Sequence, residues 1–250
     1  MKNIIFPVLI SLTLGTSSML YADGVKWSYS GETGSEHWAD LSPDYATCGN
    51  GKNQSPINID SHTALVAQNR SIKFNYGHIT PDKITNTGNF IQVDVGAGAN
   101  IDVDGNRFEL KHLNIHMPSE NTYNNEHFAM EIQFVHENKD KELVYLSMMG
   151  DLSQANRTLN KLLAQMPTQA GESKALAANS LRNVEMKKRI GKYYRYNGSM
   201  TTPPCTEGVR WFILKQALTL SVAQQQQFKN VIKQANNRPT QALNARVVTK

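Results

Sequence analysis

The residues able to do chemistry sit close together in two short segments. In Phe108-Glu109-Leu110-Lys111-His112-Leu113-Asn114-Ile115-His116, strand alternation puts His112, Asn114 and His116 on one side. In Met130-Glu131-Ile132-Gln133-Phe134-Val135, it puts Glu131, Gln133 and Val135 on one side. A His-x-His strand beside a second strand carrying another His would make a three-histidine zinc site, whose open position activates a water. This chain has Asn and Gln at two of the places where such a site wants His. No P-loop, dinucleotide glycine motif or Gly-x-Ser-x-Gly elbow appears, so the sequence offers no phosphate-binding or serine-hydrolase alternative.

Strands must position those residues, and the pattern supplies them. Ile72, Phe74 and Tyr76 alternate with polar residues, as do Ile91, Val93 and Val95. Phe108–His116, Met130–Val135, Leu143–Met149 and Val209–Leu214 also read as strands, separated by turn signals such as Asp104-Gly105-Asn106. Two helices stand out. Leu159, Leu162, Leu163 and Met166 follow the i, i+3, i+4, i+7 spacing. Phe228, Val231, Ile232 and Ala235 repeat it behind a capping-box pair, Ser221 and Gln224. The expected fold is mainly β, one domain with a large, mostly antiparallel sheet and a few peripheral helices.

Composition agrees with one globular domain. Of 250 residues 40% are apolar and 19% charged, which excludes long disorder, and two Cys exclude a disulfide-dense miniprotein or a Cys-rich zinc module. The net charge of +5 includes no long run of like charges. Its densest stretch, Lys187, Lys188, Arg189, Lys192 and Arg195, reads as a solvated face, and no nucleic-acid-binding module accompanies it. The N-terminus has a charged start at Lys2, an apolar stretch Ile4–Leu14 and a small residue, Ala22. That is the pattern of a secretory signal peptide over 1–22, leaving 23–250 as the exported domain. No later segment has the ~20 apolar residues of a membrane span. The expected location is the periplasm or full secretion, where Cys48 and Cys205 are free to pair.

Across nearly the whole of 23–250 the sequence resembles the α-class carbonic anhydrases of bacteria. The matching segments are Trp27-Ser28-Tyr29-Ser30-Gly31, His37-Trp38, Gln54-Ser55-Pro56-Ile57-Asn58-Ile59, and His116-x-Pro118-Ser119-Glu120. Met130-Glu131-x-x-x-Val135-His136, Ser199-Met200-Thr201-Thr202-Pro203-Pro204-Cys205 and Asn237-Arg238-Pro239-x-Gln241 complete the set, in the family's order. The resemblance implies the family's fold and supports the Cys48–Cys205 bridge. It implies zinc as the cofactor, CO2 and bicarbonate as substrate and product, and carbonate dehydratase chemistry, in which zinc-bound hydroxide attacks CO2.

Residue by residue, the implied machinery is half present. Thr201 matches the residue that accepts the hydroxide's hydrogen, Glu120 the buried carboxylate that orients it, and Thr202 its neighbour. Glu131 matches the carboxylate that orients the third ligand, and His112 stands where the family has a Gln behind the ligands. The ligand positions themselves map to Asn114, His116 and Gln133, so one His of three remains. His112 is a poor substitute ligand: four strand residues put its Cα roughly 13 Å from that of His116, and no third strong ligand is evident. Tyr145 stands where a small Val lines the CO2 pocket, and Asn89 where a proton-shuttling His is common. Asn89 does not titrate near neutral pH. Val135, Met200, Val209 and Trp211 match apolar wall positions. His37, His62, His78, His127 and His136 read as surface or structural residues.

The expectation is therefore an exported protein of this fold without tight zinc binding or CO2 hydration, comparable to the carbonic anhydrase-related proteins. Its partner would then be an unknown ligand or protein. The alternative is an active zinc enzyme with an unusual metal shell. For a different hydrolytic activity, no nucleophile–base pair is present.

Overall fold

The structure, a computed structural model, describes residues 25–67, 72–77, 79–181 and 192–250. The expected leader, His78 and the basic residues Lys187, Lys188 and Arg189 lie outside the described residues. Among the described residues no helix is long and apolar enough to cross a membrane.

The strands, in chain order, are β1 (Asn58–Ile59), β2 (Lys73–Asn75), β3 (Pro81–Asn86), β4 (Ile91–Val95), β5 (Asn100–Val103) and β6 (Asn106–His116). Then follow β7 (Thr122–Tyr123), β8 (Glu126–His127), β9 (Met130–Glu137), β10 (Leu143–Leu152), β11 (Ser173–Ala175), β12 (Tyr193–Ser199) and β13 (Glu207–Leu220). The main sheet runs β11-β3-β4-β6-β9-β10-β13-β12, with β5 also on β6 and β2 on β5. Its ladders are antiparallel except β10 beside β13, which is parallel. A small sheet, β1-β7-β8, stands apart from it. The fold is the mainly β one the sequence led us to expect.

One face of the sheet makes the larger core. Val93, Phe108, Leu110, Leu113, Ile115, Ile132, Phe134, Leu146 and Phe212 point into it and meet Leu159, Leu162 and Phe228 from two helices. Each such side chain, fully buried, contributes roughly 1.5–3 kcal/mol. The helices are Arg157–Leu163 and Val222–Val231. Asn156 caps the first, and Ser221 with Gln224 forms the capping box of the second. Both end earlier than their apolar spacing suggests: Met166 and Ala235 fall beyond the last helical residue, although Met166 is still buried.

Unbroken alternation along β6 would have put Phe108 and Leu110 on the same side as His112, Asn114 and His116. The register shifts between Leu110 and His112, leaving Lys111 exposed, so this bulge restores both sets to the right face. Sequence periodicity alone does not show the extra residue.

Candidate functional site

Four adjacent strands build the floor of the site. Asn114 faces Gln133 across the β6–β9 ladder, and His116 faces Glu131. On β10, Ser147 pairs with Gln133 and Tyr145 with Val135, and on β13 Trp211 pairs with Tyr145. Val135, Tyr145, Val209 and Trp211 are buried in one apolar cluster, against which the half-buried Met200 packs. The wall residues expected from sequence are therefore brought together. Tyr145 and Trp211 rings lie 4.7 Å apart between centroids, so the phenol occupies the wall and is itself buried. Burial raises its hydroxyl above the ordinary phenol range, and the Glu120 charge adds to this.

His116, Gln133, Glu120 and Glu131 are fully enclosed, and Asn114 and Thr201 nearly so. His116 donates from Nδ1 to the Asn236 carbonyl at 2.7 Å, and its Nε2 lies 3.6 Å from Glu120 Oε2. Asn236 is locked in turn: its Oδ1 accepts from the Met117 N–H and its Nδ2 donates to the Ile115 carbonyl. Phe90 stacks on the imidazole at 5.8 Å, and Tyr29 meets it edge-on at 6.4 Å. Sequence reading gave Asn236 and Phe90 no role and met Tyr29 only as a motif letter. A backbone carbonyl that fixes a tautomer carries no side-chain signal at all.

Glu131 is thoroughly paired. Its Oε2 accepts the Glu120 and Asn121 backbone N–H groups, both at 2.8 Å. Its Oε1 accepts from Asn121 Nδ2 at 2.9 Å, Ser147 Oγ at 2.7 Å and Gln133 Nε2 at 3.3 Å. Glu120 accepts Gln133 Nε2 at 2.7 Å and the Arg238 N–H at 3.0 Å. Burial, the largest cause, raises the Glu120 carboxyl above the usual carboxylate range, and the Glu131 charge adds to it. His116, the Arg238 N–H and the Thr201 hydroxyl act the other way.

The loop that carries Thr201 and Thr202 is tied down from several sides. Cys205 is bonded to Cys48, as expected. Met200 and Cys205 donate their N–H groups to the Thr206 and Thr202 carbonyls. Arg238 is buried and donates to Gln54 Oε1 and the Ser55 and Cys48 carbonyls, each at 2.8 Å, which links the disulfide to the Gln54–Ile59 segment.

Two expected site residues lie at the edge. Asn89 sits in a turn next to Phe90 and donates Nδ2 to the Trp27 carbonyl at 3.0 Å. His112 is half-buried opposite Asp94. Burial lowers its pKa, against the pull of Asp94 and Glu137. The structural reading of His136 holds: it is buried against Tyr76, and burial lowers it to about 3.

The inner atoms of the centre are a different matter. Asn114 Oδ1, His116 Nε2 and Gln133 Oε1 are buried and have no hydrogen-bond partner among the described residues. Asn114 and His116 stand on β6 and Gln133 faces Asn114 from β9, so three unanswered acceptors sit on neighbouring residues of the sheet, where buried polar atoms are ordinarily paired. Among the described residues no group of three His, Cys, Asp or Glu is placed to hold a metal ion.

A large, mostly antiparallel sheet with few helices and a Thr-Thr-Pro-Pro loop tied by a disulfide is the architecture of the α-carbonic anhydrase class of protein. The comparisons agree, and the chain belongs to the carbonic anhydrase family: the family described as eukaryotic-type carbonic anhydrase matches residues 33–250. It is similar to a carbonic anhydrase of Klebsiella pneumoniae, 41% identical over 89% of each chain. The α-carbonic anhydrase of Thermovibrio ammonificans, solved with the inhibitor sulfanilamide, superposes with a TM-score of 0.85 at 40% identity, covering 91% of this chain and 100% of that one. Dioscorin, solved in complex with ascorbate, superposes with a TM-score of 0.80 at 29% identity, covering 90% and 97%.

Proposed function

We propose that this chain is an exported protein of the carbonic anhydrase family that does not hold zinc tightly, does not hydrate CO2 at the family's rate, and works by binding. The observation that carries this reading is the donor set. The positions matched to the metal ligands present one imidazole nitrogen and two neutral amide oxygens, Asn114 Oδ1 and Gln133 Oε1. Amide oxygens are poor zinc donors beside imidazole or thiolate, so these residues do not fit the family's zinc. Without a Lewis acid, a water beside Thr201 has no reason to ionise at neutral pH. Tyr145 adds a second obstacle by filling the wall position matched to the CO2 pocket. The same fold serves binding elsewhere, since dioscorin was solved with ascorbate. The apolar leader-like segment and the disulfide support export.

The alternative, an active zinc enzyme, has Thr201, Glu120 and Glu131 in its favour. A double variant separates the two. Asn114→His with Gln133→His is expected to take up one zinc per chain, and to gain CO2 hydration over the wild-type protein. A folded double variant without zinc would show that the ligand positions are wrongly matched. A wild-type protein that already carries one zinc per chain and hydrates CO2 as fast as the double variant would establish the alternative.

A further inference from the structure

Between the small sheet and the main one lies a second cavity, of about 260 Å3. Its floor is apolar and buried: Ile59 comes from β1, Met149 from β10 and Ile213 from β13. Met149 and Ile213 continue the strands that carry Tyr145 and Trp211 and belong to the same apolar cluster, but the cavity shares no residue with the centre or the wall described above. Aromatic rings make its sides. The Tyr123 ring lies 5.9 Å from that of Tyr194 and 6.5 Å from that of Phe128, centroid to centroid, and neither pair is parallel. The Tyr194 hydroxyl donates to that of Tyr123 at 3.4 Å, so the polar ends of the two phenols answer each other. Two exposed charges, Lys215 and Asp151, line the mouth. The Lys215 ammonium stands 4.5 Å above the Tyr194 ring, and among the described residues it is in no ion pair. Partial burial, the largest cause, and the charges of Lys250 and Lys192 lower its pKa, against the pull of Tyr123.

We propose that this cavity binds a single-ring aromatic monocarboxylate, with its ring among Tyr123, Phe128 and Tyr194 and its carboxylate on the Lys215 ammonium. An apolar floor with a few polar groups at the mouth is the usual make-up of a small-molecule site. Size sets the upper limit. A dry cavity of about 150 Å3 holds benzene, so this one takes one ring with its carboxylate and has no room for a second ring system. Rings set at angles to one another offer a planar ligand both faces and edges, which favours an aromatic body over an aliphatic one. Charge selects the rest. Lys215 has cations for charged neighbours, so a bound anion relieves their repulsion as well as pairing with it. Asp151 opposes a second negative charge at the same mouth, which favours a carboxylate over a phosphate. The site does not rest on the loss of zinc, because the metal-ligand positions take no part in it.

The test is a calorimetric titration of the disulfide-intact exported chain with benzoate, and with benzyl alcohol as the uncharged probe. The expected result is one saturable benzoate site per chain with a Kd below about 1 mM, within reach of so small a ligand, and benzyl alcohol at least tenfold weaker. Lys215→Met keeps the stem of an exposed residue and removes its charge; it should bring benzoate down to the level of benzyl alcohol. Ala217→Phe, which fills the space from β13, should abolish binding of both. No saturable benzoate binding by the wild type below about 10 mM would overturn the proposal. Equal binding by wild type, Lys215→Met and Ala217→Phe would also overturn it, by placing the ligand elsewhere. Benzyl alcohol bound as tightly as benzoate would remove Lys215 and the carboxylate from it. Zinc measured on the same sample reports separately on the metal-ligand positions, whichever way the titration falls.

Discussion

Around Glu131 and Arg238 the polar groups are answered by hydrogen bonds, whereas a few residues away Asn114, His116 and Gln133 turn unanswered atoms inward. Glu131 collects five donors, and Arg238 fastens the Gln54–Ser55 segment and the disulfide. The three inner side chains project from the same strands, held in register by ordinary ladder bonds. The difference teaches that the surround, and not the inner donors, holds this fold. Inner residues can then be exchanged without rebuilding the sheet, and chemistry can be lost or altered while the scaffold stays.

If that comparison is right, damage to the surround should cost most. Cys48 and Cys205 are 157 residues apart, and closing a loop of that size is worth about 5 kcal/mol on the chain-entropy view. Cys205→Ser should therefore give the largest loss in urea unfolding. Glu131→Ala should follow, at about 3–5 kcal/mol, because it strands several buried donors. A loss under 1 kcal/mol there would break the comparison outright.

A smaller effect comes from the other face of the sheet. His136 is buried neutral, with its pKa lowered from the ordinary value to about 3. Its neutral form favours the folded state above pH 6.5, and that contribution is lost as pH falls from there towards 3. Between pH 7 and pH 5 the unfolding free energy should drop by about 2 kcal/mol from this residue. The drop should flatten in His136→Gln, and an unchanged slope would remove His136 from the account. The smallest stability effect belongs to the centre. Asn114→Leu should change stability by no more than about 1 kcal/mol in either direction, since it removes an unpaired acceptor instead of a bond. A loss equal to that of Glu131→Ala would show that the inner atoms are structural after all.

Much of this was legible beforehand. Alternation placed Asn114 with His116 and Glu131 with Gln133 on shared faces, because strand period is local. The apolar wall, the disulfide and the general fold followed from ordered motif resemblance. What was not legible was non-local or backbone-borne. The bulge before His112 leaves no pattern of its own. The Asn236 carbonyl that fixes His116 is 120 residues away in sequence. The hydrogen bond from Gln133 to Glu120 needs the two side chains in space. Helix ends at Leu163 and Val231 came earlier than apolar spacing implied, since Met166 and Ile232 pack onto the core from just beyond the helical turns.

The central claim is that the centre has given up tight zinc. The most direct measurement is zinc per chain by elemental analysis, on protein exported with its disulfide intact and never exposed to nickel resin. The account predicts a value near zero. A value near one zinc per chain would contradict it, since one imidazole and two amides would then hold an ion for which they are poorly suited.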